Sequence, residues 1–408
     1  MNAIFNRDSI FNKESLLLVM ILFVPSVNFG IYYVAIFFLS AFIIFTRRQV
    51  SYFKKEWLYI LLTIFVFYLL VISIRSFAYI SVSDYKEIVK LALFIVVLMS
   101  FKNIKISDIE KIFFAYISLS FIVSVSQFMH INNAIIDLFS SIYADPNHLS
   151  VSLSQNSVRS IGLSTDPGAS GTLSLLFYVF FLTLLLFDKL TKLRYIGAAA
   201  SLVVLFLSQS KSSLIALILV SVFICLLVIF NTKRYTTNRL SLIVILLLFG
   251  LVLYWVFKDI LSYFYGYSKL LNAGLNVSSM GARVEKWIEF YEAIVNENNI
   301  LMLLFGAGRG FLDANGIKSS VFDNDYVYLF VNYGFIGLLL FSTCMFSAIL
   351  GYLIRFNHTS ISDKILLFIF FAGCIASFAI SFYINVKIIG LIALFLSLAF
   401  FTKRSLRI

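Results

Sequence analysis

Apolar runs long enough to cross a hydrocarbon core recur along this 408-residue chain, broken only by short charged or polar clusters. A helix needs about 20 such residues to span a bilayer. The chain is 61% hydrophobic and only 13% charged, far outside the composition of soluble globular domains. With 3 Pro against 46 Phe and 22 Tyr, disorder and collagen-like repeats are excluded. The runs lack the alternation of a porin-type barrel, so the spans must be helices. The chain reads as an all-α polytopic membrane protein, a single integral membrane domain over residues 1–408.

About twelve spans can be drawn by length and hydropathy, at 14–28, 30–46, 56–75, 86–101, 111–131, 170–187, 195–210, 213–230, 239–257, 335–355, 364–384 and 386–402. The first two share one apolar run, so Pro25 to Gly30 must form a tight hairpin; one longer span is the rival reading. Arg7 and Lys13 before that run mimic a signal peptide, but no small-residue cleavage site follows, and the run reads as the first span. With both termini inside, Arg47, Arg48, Lys102, Lys105, Lys189, Lys192, Arg194, Arg355 and Lys364 fall in short cytoplasmic loops. The net charge of +12 then orients the protein, and nucleic acid is not an expected partner.

The opposite face differs in kind. Residues 132–169 and 258–334 form two long segments rich in Ser, Asn, Gly and Asp, and loops of that length are usually functional. Within the second, residues 282–298 place Val284, Trp287, Ile288, Tyr291 and Val295 at helical spacing, an amphipathic helix lying on the membrane surface or capping the bundle. Cys225, Cys344 and Cys374 sit in apolar runs and offer no disulfide framework. His130, His148 and His358 lack ligand spacing, so no metal is expected.

Outside the membrane there is no nucleotide supply, so a transferase site in these loops would need a lipid-linked donor carrying a diphosphate. Guanidinium groups bind phosphate oxygens in a bidentate manner, and the long loops offer Arg159, Arg283 and Arg309. The plainer role for Arg159 is an interfacial arginine meeting lipid headgroups. Lys211, in Gln209-Ser-Lys-Ser-Ser, is held between two apolar spans with no room for a loop, which is costly unless it is paired or near water; snorkelling is the alternative. Asp323-Asn324-Asp325 could hold a divalent ion, supply one general base, or be an acidic helix start favoured by the dipole. Gly306-Ala-Gly308-Arg-Gly310 lies outside any strand–loop–helix unit, so it is read as a turn that lets backbone approach a ligand or another helix, not as a dinucleotide loop.

Four stretches together resemble the Wzy-type O-antigen polymerase and O-antigen ligase superfamily of bacterial envelope glycosyltransferases. They are Arg159-Ser-Ile-Gly162 through Asp166-Pro167; Leu207-Ser-Gln-Ser-Lys211-Ser-Ser; Arg283 with Trp287; and Leu304-Phe-Gly306-Ala-Gly308 followed by Asp323-Asn324 and Gly334-Phe-Ile-Gly337. Lys211 stands where arginine is frequent in the family, and Asp323-Asn324 where ligases usually present His-Asn, which favours polymerase over ligase. The resemblance implies a GT-C-like fold in the bacterial inner membrane, with both termini cytoplasmic and the active site facing the periplasm. It also implies undecaprenyl-diphosphate-linked repeat units as partners, with a chain-length-regulating co-polymerase as a further candidate partner, and no cofactor. In that reading Arg159, Arg283 and Asp323 are catalytic, and Lys211, Arg309, Asn324, Asp325 and Asp166 bind substrate.

A ligase of the same superfamily is one alternative. A lipid-linked oligosaccharide flippase is another, although the halves of the chain show no matched pair of broken helices. A purely structural scaffold would not require three outer arginines and a confined lysine.

Overall fold

The computed structural model describes residues 12–27, 29–46, 56–75, 82–131, 133–146, 158–230, 278–297, 299–316, 324–378, 380, 382–383 and 385–401. Every regular element among them is helical. The chain is an all-α polytopic membrane protein: long apolar helices at Ile106–Met129, Pro167–Phe187, Lys211–Ile229 and Asp325–Ile354 are joined by shorter apolar ones at Gly30–Phe45, Ile60–Ser73 and Val386–Phe400.

In chain order the helices are α1 (Lys13–Phe23), α2 (Phe29–Phe45), α3 (Glu56–Arg75), α4 (Val82–Ser100), α5 (Ile106–Met129), α6 (Asn133–Tyr143), α7 (Pro167–Phe187) and α8 (Lys192–Ser208), then α9 (Lys211–Phe230), α10 (Ser278–Asn296), α11 (Ile300–Phe305), α12 (Arg309–Ala314), α13 (Asp325–Ile354), α14 (Ile361–Ala376) and α15 (Val386–Phe401). The apolar run at 14–46 does break into two helices. The span expected at 239–257 lies outside the described residues.

Helix α7 is the axis of the bundle, buried along nearly its whole length. It packs against α8, α14 and α9. An apolar helix with no exposed face belongs in the middle of a membrane bundle, where helices and not lipid surround it. The main core joins it to α1, α2, α4, α5, α8, α9, α14 and α15. A second core lies between α3 and the α10–α13 region, built on Phe65, Leu69, Phe290, Phe311, Val331 and Phe341.

Several boundaries differ from the hydropathy estimate. Helix α5 begins at Ile106 instead of 111, because the charged residues of its first turns are partnered. Glu110 receives the Arg194 guanidinium in a bidentate pair at 2.9 and 3.0 Å, and the same arginine reaches Asp188 at 2.7 Å. Helix α7 begins at Pro167 because proline suits the first helical turn and Asp166 caps it. Helix α14 stops at Ala376, well short of 384, and Ser377, Phe382 and Tyr383 bond to Asp325 at the start of α13.

The bundle has two chemically distinct ends. At one, Glu14 accepts from Lys102 N and Asn103 N, Lys13 reaches Thr46, Arg194 binds Glu110 and Asp188, and Lys364 lies over the Phe187 and Phe356 rings. At the other, residues 158–166, the turn between α8 and α9, the start of α13 and the 377–387 connection meet. Among the described residues, Lys102, Lys189, Arg194 and Lys364 thus lie at one end, and residues 158–166 with the start of α13 at the other.

Candidate functional site

Residues 158–166 run across the end of the bundle and pack on the last turn of α8. Ser160 N donates to Leu207 O at 3.0 Å, and Gln209 Nε2 donates to Val158 O at 2.7 Å. This places Arg159, half-buried, with Nε 3.3 Å from Ser208 O and Nη2 3.5 Å from Gln209 O. Gln209 itself has a left-handed backbone, φ 51°. A non-glycine residue in that conformation costs about 1–2 kcal/mol. It reverses the chain so sharply that Lys211 opens α9 only three residues after α8 ends.

The N-terminus of α9, the positive end of its dipole, lies at this end of the bundle, and Lys211 is its first residue. A positive side chain at a helix N-terminus opposes the dipole and is mildly destabilising, but both attract an anion. Arg159 is held on the preceding turn, bonded to Ser208 O and Gln209 O, so two basic residues flank the α8–α9 junction.

Arg283 lies on α10, on the helical face shared with Trp287, Phe290 and Ile294. Phe290 and Ile294 are fully buried, whereas Val284, Ile288 and Tyr291 are exposed. The helix begins at Ser278, and of the stripe drawn from sequence Trp287 and Val295 are half-buried while Val284, Ile288 and Tyr291 are exposed, so the packing face is turned towards Phe290 and Ile294. The reason is that the stripe has two apolar sides, and Phe290 wins the core. Arg283 consequently sits on the bundle side, half-buried. Arg309 opens α12.

The acidic cluster at the start of α13 divides. Asp323 lies outside the described residues. Asn324 is the helix cap: its Oδ1 accepts from Tyr326 N and Val327 N, and its Nδ2 donates to Phe378 O at 3.0 Å. Asp325 is fully buried, and its Oδ2 accepts from Ser377 Oγ (2.7 Å), Phe382 N (2.9 Å) and Tyr383 N (2.7 Å). Both side chains thus tie the start of α13 to residues 377, 378, 382 and 383, while the second carboxylate oxygen of Asp325 makes none of these bonds. Asp166 is likewise a cap, accepting from Ala169 N at 2.9 Å and from Thr165 Oγ1 at 2.8 Å. Among the described residues no cluster has the makings of a metal site.

Below Asp325 a cavity of about 150 Å³ opens between α3, α4, α13 and α15, walled mostly by apolar side chains such as Phe65, Leu69 and Phe341. Its polar rim is Glu87, paired with Lys90 at 3.0 Å, and Tyr328, which donates to Glu87. Sequence reasoning missed this pair; Glu and Lys three apart within an otherwise apolar span were the available signal.

The glycine motif has a structural role. Gly306 and Gly334 are both in the left-handed region, φ 86° and 68°. Gly334 breaks α13. The loop after α11 crosses that break: Ala307 N and Gly308 N donate to Val331 O, and Tyr68 OH donates to Tyr333 O at 2.7 Å. The reading of this motif as a backbone approach to another helix is met.

With this geometry in place, the chain can be compared with known proteins. Residues 196–342 match a family model described as O-antigen ligase (Wzy_C). The matched stretch runs from α8 into α13 and includes Lys211, Arg283, Arg309 and Asp323–Asp325; Arg159 and Asp166 lie before it. The match supports the O-antigen ligase/polymerase superfamily and a glycosyl-transfer role for a multi-pass membrane protein. No curated protein matches the chain.

Proposed function

We propose that the protein is a surface-polysaccharide polymerase that transfers a growing glycan from undecaprenyl diphosphate onto a lipid-linked repeat unit at the periplasmic face of the inner membrane. The observation that carries this reading is the α8–α9 junction, where Arg159, Lys211 and a helix N-terminus gather at the end of the bundle away from the basic loops. In the reaction the acceptor hydroxyl oxygen attacks the anomeric carbon as the bond to the lipid diphosphate breaks. The leaving diphosphate carries about two negative charges that grow at the transition state, and Arg159, Arg283 and Lys211 stabilise them. Asp323 takes the hydroxyl proton. On this reading the basic connections face the cytoplasm and both termini lie on that side, as the positive-inside rule requires.

Polymerase is preferred to ligase because Asp323-Asn324 stands where His-Asn is usual in ligases. The description of the matching family keeps ligase as the second reading. The test is an in vitro reaction of purified protein with a purified lipid-linked repeat unit, with and without a lipid A–core acceptor. Ladders of polymer from the repeat unit alone support polymerase; transfer only to the core acceptor establishes ligase; no transfer to either refutes the proposal.

A further inference from the structure

The segment that delivers Arg159 is held by side chains from two other helices, α5 and α15. Gln127, near the end of α5 and fully buried, accepts from both Ile161 N and Gly162 N at 2.9 Å through one oxygen. Its Nε2 lies 3.5 Å from Ser140 Oγ on α6. Leu163 O, one residue further on, accepts from Tyr116 OH at 2.9 Å and from Lys387 Nζ at 3.1 Å. Lys387, only 2% exposed, also donates to Leu22 O at the end of α1 (2.8 Å) and lies over the Tyr116 and Tyr143 rings.

A buried glutamine and a buried lysine are expensive in a membrane bundle, where apolar residues of similar volume commonly pack as well or better. What the polar pair adds is fixed points for three particular backbone atoms, two to four residues after Arg159. A reacting site tolerates roughly 0.5 Å of misplacement, and an error of about 1 Å reduces rate on the order of 100-fold. We propose that Gln127 and Lys387 are positioning residues for the anion site, holding residues 158–166 against the α8–α9 turn so that the Arg159 guanidinium stays beside Gln209 and the start of α9. This rests on the reading of Arg159 as a diphosphate ligand, so the experiment separates the two.

The full-length protein in nanodiscs is titrated with undecaprenyl diphosphate lacking any glycan, as wild type, Gln127→Leu, Lys387→Met and Arg159→Ala, and as each double variant with Arg159→Ala. Gln127→Leu and Lys387→Met are expected to weaken binding roughly 10-fold when Arg159 is present and less than about 2-fold when it is alanine, the non-additivity expected of groups acting through one another. Tyr116→Phe, which deletes one bond to Leu163 O with almost no change of shape, carries the same comparison if Lys387→Met fails to insert. Equal losses in both backgrounds would show general damage to the bundle and overturn the positioning role. Undiminished binding by Arg159→Ala alone overturns the anion site, whatever the Gln127 result.

Discussion

Replacing Gly306 by alanine tests the crossing of α13 most directly. A Cβ built there falls inside van der Waals contact with the backbone of Asn332 and Tyr333, and one built at Gly334 meets the backbone of Leu304. Backbone cannot swing aside as a flexible side chain can, so the crossing must open. Opening it removes the bonds from Ala307 N and Gly308 N to Val331 O, 2.8 and 3.1 Å long, worth about 1 kcal/mol each and more where a donor is left buried. The positive φ adds about 1–2 kcal/mol for any residue with a Cβ. The sum is about 3–5 kcal/mol. Gly316 supplies the control, since its φ is 72° but nothing lies within 4 Å of a Cβ there, so Gly316→Ala should lose only the backbone part, about 1–2 kcal/mol. Equilibrium unfolding in mixed micelles measures all three variants. If Gly306→Ala and Gly334→Ala are no more damaging than Gly316→Ala, the close crossing contributes nothing and the account of the motif is wrong.

Three further outcomes follow from the site and the opposite end. Arg159→Ala and Arg283→Ala should each remove about 2–4 kcal/mol of charge-assisted stabilisation, roughly a 30- to 1000-fold loss of polymerisation rate, with lysine restoring part; long polymer at normal membrane abundance would identify a headgroup anchor instead. Asp323→Asn should slow transfer about 100- to 10,000-fold, while EDTA leaves the wild type active, and full activity of the asparagine variant would remove the general base. Arg194→Met strands Glu110 and Asp188 and should destabilise by about 3–5 kcal/mol, less a discount for the one-third exposure of Asp188; an unchanged unfolding curve would show that the network is dispensable.

The helical, polytopic fold was legible because hydropathy in a bilayer is a strong constraint: no backbone polar group can be left without a partner there. The sidedness was legible too, in the sense that Lys102, Lys189 and Arg194 gather at one end and Arg159 and Lys211 at the other. Hydropathy alone misjudged ends that are set by pairing. Glu110 could be drawn into α5 only because Arg194, eighty-four residues away, receives it. The sequence after Ala376 looks apolar enough to continue a span, yet Ser377, Phe382 and Tyr383 bond to Asp325 instead. The rotated face of α10 was undecidable in principle, since Val284–Ile288–Tyr291 and Phe290–Ile294 are both apolar stripes and only the partner chooses between them. Gln127 and Lys387 were invisible for the same reason: what they do depends on backbone atoms of a distant loop.

The division of the acidic cluster bears on chemistry beyond its own neighbourhood. A divalent ion held by an Asp-x-Asp motif needs both carboxylates to face one point with free lone pairs. Asp325 accepts three bonds on one oxygen from Ser377, Phe382 and Tyr383 and is wholly buried. Its second oxygen has no hydrogen-bond partner, but it lines the cavity beside Glu87 and Lys90. Asn324 between them is committed to capping α13, which fixes the direction in which the chain enters the helix. Asp325 therefore serves the join between α13 and the residues after α14, and in the proposed scheme Asp323 acts without it. A lone carboxylate is a poor metal site but a sufficient proton acceptor, so the proposed scheme assigns neutralisation of the diphosphate to Arg159, Lys211 and Arg283. Asp325→Asn consequently separates the two schemes: it should leave transfer per folded molecule within about 3-fold of wild type while lowering stability by about 1–3 kcal/mol through the altered acceptor. A loss of transfer rate as large as that of Asp323→Asn, restored by added Mg²⁺, would return the pair to metal chemistry.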